Sequence, residues 1–283
     1  MPSTTVTTSS ANAASLTITK PTGLAVGDLL VAFITAIAGG AFPIDTPAGW
    51  TMTLYDSNSS TRKFGVFTKV ADSSDVAAAN FTFTTSGGAS AMVGVLVRCS
   101  GVASGSEITA SEFDETFTTS SPSFTGASTP ATTDSLVLMA MTGWDNGGLI
   151  TVSGYASTPS KTWTELADLN INQGTIDPFL AVASAQSGSL TQITAYSATL
   201  SATPDTCDGA LIIIRPPTNA TGTNALFSIA PAFFDENGRA DTRGTNTLLE
   251  VSPTINTQNG RATSPTQWQN EDKPSTAWIN DSL

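Results

Sequence analysis

The sequence contains no histidine, and its 11 Lys and Arg residues are outnumbered by 23 Asp and Glu residues. Acid–base catalysis usually recruits histidine, and Ser/His and Cys/His nucleophilic pairs require it. Nucleic acids and anionic membranes need clustered cations, which a chain of net charge −12 does not offer. We therefore expect a protein that is not an enzyme and binds neither nucleic acid nor a membrane.

Long apolar runs and export signals are also missing. Met1 is followed by Pro2 and a polar Ser/Thr stretch, without a charged n-region or an apolar h-region. No apolar stretch reaches the roughly 20 residues that span a bilayer. The sequence therefore predicts neither Sec-type export nor a transmembrane helix.

Cysteine is scarce, with only Cys99 and Cys207 in 283 residues. They lack the short spacing of a metal or redox motif, so a structural zinc site is not expected. Two alternatives are open for the pair: a disulfide, within the chain or between copies, or two small buried residues. We expect no cofactor.

The residues that are abundant, above all Thr and Ser, favour strands and turns. The branched Cβ of Thr fits an extended backbone, and the Ala-Glu-Lys-Leu stretches that build helices are absent. Apolar runs such as Leu29–Ile37 and Leu211–Ile214 must be buried. This composition predicts an all-β domain.

An internal repeat organises the chain: a buried strand, a Trp-containing turn, an alternating strand and a final buried strand occur twice. The matched segments are Val26–Phe33 with Thr133–Ala140, Ala48–Leu54 with Lys161–Leu166, Gly65–Ala71 with Phe179–Ala185, and Gly94–Ser100 with Gly209–Arg215. Two halves that each bury one face predict a two-sheet, jelly-roll-like sandwich of about eight strands.

The domain boundaries follow from this repeat. We expect an N-terminal arm over residues 1–15 and a β-sandwich over 16–217, whose halves are 16–112 and 131–217 with a connector between them. Pro216 and Pro217 stop sheet pairing. Residues 218–283 then form an extended C-terminal arm.

The C-terminal arm carries widely spaced aromatic residues in polar surroundings. Such a pattern fits a strip that docks onto something else, because isolated apolar anchors cannot build a core of their own. The predicted anchors for partner binding are Phe227, Phe233, Phe234, Trp268 and Trp278.

Three tryptophans outside the arm could form a carbohydrate-stacking platform. Trp50 and Trp163 occupy equivalent repeat positions beside buried strands, so we expect both to plug the core. Trp144 stands in Gly143–Gly148, a predicted loop, and is the better ligand candidate.

Carboxylates provide the remaining candidates for chemistry. Glu107, Glu112, Asp114 and Glu115 could form a glycosidase pair, but a Ser/Thr-rich connector is more often a solvated loop. The stretches 72–75 and 235–241 have some oxygen ligands of a calcium loop, and a solvated turn is the alternative for both.

Several of these segments together resemble structural proteins of tailed bacteriophages. The similarity is carried by Gly27–Phe33, Pro47–Thr51, Phe67–Ala71 and Phe81–Phe83, and it covers roughly residues 16–216. The second half departs from the pattern, with Thr162 where a glycine precedes the tryptophan. The family resembles jelly-roll modules of head decoration, head fibres and tail appendages.

This resemblance implies a virion structural protein, and our first hypothesis is a capsid-decorating or head-attached protein that reinforces the particle through its C-terminal arm. The implied partners are copies of itself, often as trimers, and other virion proteins such as the major capsid protein. It implies a virion location, after assembly in the host bacterial cytoplasm. The alternative is a tail-associated module that binds a receptor or a host surface glycan through the loop around Trp144.

Overall fold

The computed structural model describes residues 2–37, 43–56, 62–88, 91–103, 108–172 and 176–217. These residues form strands that pair antiparallel throughout, so the all-β prediction is confirmed. The first half consists of β1 (Ser3–Ala11), β2 (Ser15–Thr19), β3 (Leu29–Ile37), β4 (Thr51–Asp56), β5 (Arg62–Val70), α1 (Ser73–Ala77), β6 (Asn80–Thr84) and β7 (Ala91–Ser100). The second half consists of β8 (Ile108–Phe117), β9 (Ser123–Ser128), β10 (Leu136–Asp145), β11 (Val152–Thr158), β12 (Thr164–Asn170), β13 (Asp177–Gln186), β14 (Ile193–Leu200) and β15 (Thr206–Ile214).

Each half contributes one five-stranded sheet and one smaller sheet. The first main sheet has the order β1-β7-β3-β5-β4, and the second has the order β8-β15-β10-β13-β12. The first small sheet is β2-β6, and the second is β9-β14-β11. The strand orders of the two main sheets correspond strand for strand, so the repeat in the sequence is a repeat of topology.

Three apolar cores separate these sheets into four layers. A first outer core lies between the first small and first main sheets and contains Leu16, Phe83 and Ile34. A central core lies between the two main sheets. It contains Phe33 and Val95 from the first main sheet and Leu138 and Ile212 from the second. A second outer core joins the second main sheet to the second small sheet.

This layering explains the long apolar runs. All nine residues of β3 are buried, because odd-numbered side chains such as Val31 enter the central core and even-numbered ones such as Leu30 enter the first outer core. A strand with two buried faces has no reason to alternate. By contrast, β6 has one solvated face, and only Phe81 and Phe83 are buried in it.

The hydrogen-bond register gives a residue-by-residue equivalence of the halves. Leu29 of β3 pairs with Val70, and its counterpart Leu136 of β10 pairs with Gln186. Val66 is therefore equivalent to Val182, whereas the sequence comparison aligned it with Leu180, two residues away. Both Leu180 and Val182 face the central core, and a shift of two preserves the face of a strand.

The number of strands and sheets differs from the prediction. The described residues contain fifteen strands in four sheets instead of about eight strands in two. Residues 1–15 contain β1, which forms the edge of the first main sheet against β7, and the expected connector between the halves contains the last five residues of β8 and all of β9. These additional strands are rich in Ser and Thr and lie at or near sheet edges, where alternation of apolar residues is weak.

Two equivalent glycines allow the small sheets to approach the main sheets closely. A Cβ on Gly94 of β7 would stand 2.6 Å from Leu16 Cδ2. A Cβ on Gly209 of β15 would stand 2.7 Å from ring atoms of Phe124 and Tyr196. Glycine at both positions thus lets large side chains of the small sheets rest on the backbone of the final strand.

Candidate functional site

A buried charge cluster joins the two halves. Arg62 of β5 donates to Asp56 of β4 at 2.9 Å and also forms an ion pair with Asp208 of β15. The side chains of these three residues are at most 3% exposed. Removing Arg62 would take the cation away from two buried carboxylates, so this residue links β4 and β5 of the first half to β15 of the second.

Further polar groups extend this cluster toward the end of the central core. The hydroxyls of Thr35 on β3 and Thr142 on β10 are 2.5 Å apart, and Thr142 also donates to the carbonyl of Phe179 at 3.0 Å. Sequence reasoning missed these residues because each stands alone within an apolar strand. Their only sequence signal is a polar residue in a strand that is otherwise apolar on both faces.

Trp144 does not lie in a loop as predicted, because β10 continues through it to Asp145. It pairs with Pro178 on one side and Thr206 on the other, and its side chain is half-buried. Trp144 Nε1 and Thr206 Oγ1 are buried without a hydrogen-bond partner in the described chain. The loop prediction was wrong because the strand includes Gly143 and Trp144, and the loop begins only after Asp145.

The two equivalent tryptophans lie in separate outer cores. Trp50 is 9% exposed and makes edge contacts with Phe81 and Phe83, at ring-centroid distances of 5.7 and 5.3 Å. Trp163 is half-buried, packs against the second outer core, and donates from Nε1 to Ser157 Oγ at 3.3 Å. Each ring thus packs against the outer core of its own half.

The two cysteines are free thiols in different cores. Cys99 is buried in the central core and Cys207 in the second outer core, so they do not form a disulfide with each other. Burial raises the pKa of both thiols, and the nearby carboxylates of Asp28 and Asp208 add to this effect. Thiols that stay protonated in an apolar environment are poor nucleophiles.

The acidic stretch 72–75 builds a helix cap. Asp72 accepts hydrogen bonds from the backbone N–H groups of Ser74 and Asp75, and Asp75 reciprocates at the N–H of Asp72. Hydrogen bonds from Ser74, together with that from the Asp75 backbone, lower the pKa of Asp72 to about 2. Asp75 also pairs with Lys69 at 2.6 Å. The carboxylates therefore have structural partners within the chain.

A partly buried acidic group lies between β11 and β12. Asp168 accepts from the backbone N–H of Val152 at 2.9 Å, yet burial raises the pKa of its carboxyl, and nearby Glu165 raises it further. The hydroxyl of Tyr155 is buried without a hydrogen-bond partner in the described chain, and burial raises its pKa.

A cleft opens where β1 of the first half meets the turns beside β12 and β13 of the second. Its volume is about 620 Å³. Lys161 donates from Nζ to the carbonyl of Ser187 at 2.5 Å, and Gln186 donates to the carbonyl of Pro2 at 3.4 Å. The sequence did not indicate this cleft, because its walls are distant in the chain and carry ordinary surface residues.

The remaining predicted residues lie outside the described part. These are the arm anchors Phe227, Phe233, Phe234, Trp268 and Trp278, Glu107, and the stretch 235–241. For Glu112, Asp114 and Glu115 the structure defines the strand β8 and its pairing with β15.

The described residues contain no group of three or more Cys, Asp and Glu side chains arranged to hold a metal ion. None of their helices combines the length and apolarity needed to cross a bilayer.

Comparison with known proteins gives no assignment, since no family model, no curated protein and no solved structure matches this chain.

Proposed function

We propose that this protein is a structural component of a tailed bacteriophage virion, a capsid-decorating or head-attached protein that reinforces the particle. The observation that supports this best is the face-to-face packing of the two main sheets. Their shared core and the Asp56–Arg62–Asp208 cluster make one block from two halves. A block of this kind suits a load-bearing role, because neither half can separate without exposing an apolar face.

We also propose that each half is a jelly roll by itself. In an eight-stranded jelly roll, one sheet has the strand order first, eighth, third, sixth, and the other has second, seventh, fourth, fifth. We number the strands of the second half from β8 as first to β15 as eighth. Its main sheet then contains the order first, eighth, third, sixth, and its small sheet contains the order second, seventh, fourth. The fifth strand, β12, pairs instead with the sixth, β13.

The first half supports the same assignment, except that a single β-bridge stands in place of its fourth strand. Its main sheet has the same order, and β2 and β6 take the second and seventh places. A single bridge between Ile44 and Thr85, next to β6, takes the position that β11 occupies beside β14 in the second half. The fourth strand of the first half is thus represented by this bridge.

In the proposed mechanism, the arm from residue 218 clasps neighbouring subunits, either further copies, often as trimers, or the major capsid protein. Aromatic anchors such as Phe233 and Trp268 contribute most of the binding energy when a partner covers them, as large aromatic side chains do in other interfaces. The protein acts in the virion, without catalysis and without a cofactor.

Deletion of residues 218–283 tests the proposal. The truncated chain should retain the far-ultraviolet circular dichroism of a β protein and should fail to incorporate into particles when co-produced with capsid components. The double variant Phe233→Ala/Phe234→Ala should reduce incorporation in the full chain. Incorporation of the truncated chain at the level of the intact one would show that the arm is not the attachment device.

A second candidate is a receptor- or glycan-binding tail module that uses Trp144. It is favoured by the half-buried indole ring, whose buried N–H has no hydrogen-bond partner in the described chain. Loss of binding to host cells or to a glycan array on Trp144→Ala, with retention in Trp163→Phe, would support it. Equal binding by both variants would exclude Trp144 as the contact.

A further inference from the structure

The cleft beside Lys161 has the size of a small-molecule site. Its volume of about 620 Å³ lies within the range of roughly 300–1,000 Å³ typical of ligand pockets. Leu136 and Leu166 give it an apolar wall, and Lys161 is the one charged side chain among the described residues that line it. An acidic protein thus presents a cleft whose described lining carries a cation and no carboxylate.

In the first half, the position equivalent to this cleft is filled by the side chain of Lys69. The backbone N–H of Ala71 donates to Asp28, and the N–H of Ser187 donates to Ser135 in the same way, which makes Ala71 and Ser187 equivalent. Counting back two residues, Lys69 is equivalent to Ala185, which lines the cleft. The ammonium group of Lys69 lies 3.3 Å from the position of a Cβ on Gly49, the equivalent of the lining residue Thr162.

In the first half, the ammonium group at this position is paired with carboxylates of the chain itself. Lys69 Nζ is 2.6 Å from Asp75 and 3.8 Å from Asp72, both supplied by α1 and its cap. The second half has a short turn after β13 where the first half has α1. Lys161 therefore contacts the carbonyl of Ser187, and no described carboxylate lies within 4 Å of its ammonium group.

Partial burial makes an external anion favourable at this ammonium group. Removal from water lowers the pKa of Lys161, since burial disfavours the charged form. An anion beside it restores the charged form. One of its three donors is used by Ser187, so two are available for a ligand.

The rest of the lining offers hydroxyl groups. Hydroxyls donate and accept, which suits a ligand that is itself rich in hydroxyl groups. Five of them form no side-chain hydrogen bond with the described chain: those of Thr4, Ser160, Thr162, Thr164 and Ser184.

We propose that this cleft binds an acidic sugar, with the carboxylate of the ligand at the Lys161 ammonium group and its hydroxyls among the Ser and Thr side chains. The ligand carboxylate takes the place that Asp75 occupies in the first half. The site goes beyond the proposed structural role and does not depend on the C-terminal arm.

Isothermal titration calorimetry on the full-length protein at pH 7 tests this site with three probes: D-glucuronate, D-glucose and inorganic phosphate. Glucuronate should bind, and glucose should bind at least about tenfold more weakly, because a hydrogen bond to a charged group contributes on that order. Phosphate should bind more weakly than glucuronate because it is smaller and reaches fewer of the hydroxyl groups that line the cleft while it contacts Lys161.

Two variants and one control locate the binding. Lys161→Gln should weaken glucuronate binding about tenfold or more, and Thr162→Asp should abolish it by supplying an internal carboxylate. Lys20→Gln is the matched control, since Lys20 also donates to a backbone carbonyl, that of Val76, outside the cleft. Its glucuronate affinity should equal that of the unchanged protein.

The proposal is overturned by any of four results. These are no heat with glucuronate up to about 10 mM, equal affinity for glucose, phosphate binding as tight as glucuronate binding, and unchanged affinity in Lys161→Gln. Unfolding temperatures within about 2 °C of the unchanged protein show that the variants are folded.

Discussion

The main sheets of the two halves have the same strand order, but ion pairs in the first half are replaced by uncharged contacts in the second. In the first half Asp28 pairs with Arg98 at 2.6 Å and Asp75 pairs with Lys69. In the second half Ser135 stands at the position of Asp28, and its hydroxyl accepts from the N–H of Thr132 as Asp28 accepts from Ala25. Both halves therefore keep the same hydrogen bond within this turn. The repeat preserves the backbone geometry and does not preserve the charge.

The largest effect is expected where the halves meet. Arg62→Met should lower the free energy of unfolding by about 3–5 kcal/mol, because it removes the buried cation that forms ion pairs with both Asp56 and Asp208. Arg98→Met, which breaks a pair within one half, should cost about 1–2 kcal/mol. Urea unfolding followed by tryptophan fluorescence measures both. Equal losses would mean that the charge cluster does not join the halves more strongly than a local pair.

The two tryptophans should differ in their contribution. Trp50→Ala should cost about 3–4 kcal/mol because the ring is almost fully buried against Phe81 and Phe83. Trp163→Ala should cost less, since that ring is only half-buried. The same urea experiment compares them, and a larger loss for Trp163 would contradict the burial difference.

The two close-approach glycines should behave alike. Gly94→Ala and Gly209→Ala should each cost about 1–3 kcal/mol, because the new Cβ would meet side chains of the small sheet. Gly148→Ala is the matched control, as nothing lies within 4 Å of its Cβ position, and its effect should be within about 0.5 kcal/mol. Thermal unfolding measures all three. A neutral Gly209→Ala would show that the equivalence of the halves stops at their strand order.

The smallest effects should appear in the pH dependence of stability, with opposite signs in the two halves. The pKa of Asp72 falls from 3.8 to about 2 in the folded state. Its contribution is therefore present above pH 3.8 and lost as the pH falls toward 2. The pKa of Asp168 is raised, so its ionisation reduces stability as the pH rises through that pKa.

Matched variants separate these contributions. Asp72→Ala should flatten the loss of stability on acidification, and Asp168→Asn should raise stability slightly at pH 7 while keeping an acceptor for the N–H of Val152. Chemical denaturation at a series of pH values measures the slopes. A decrease in stability of Asp168→Asn at pH 7 would indicate that the ionised carboxylate is favourable in the fold.

The sequence by itself determined the all-β class, the repeat and the apolar runs. Those features follow from local chemistry, since Thr-rich stretches favour extended backbone and the runs Leu29–Ile37 and Leu211–Ile214 must leave water. A run that is apolar at every position indicates two buried faces. It does not indicate what covers them.

Only the tertiary structure decided how the layers stack and which polar residues meet. Arg62 and Asp208 are 146 positions apart in the chain and contact each other because the two main sheets pack face to face. Trp144 was assigned to a loop because its neighbours are glycines, and pairing with Thr206 and Pro178 extended the strand through it. The cleft beside Lys161 exists because the second half has a short turn where the first has α1, and only the register of distant strands reveals that difference.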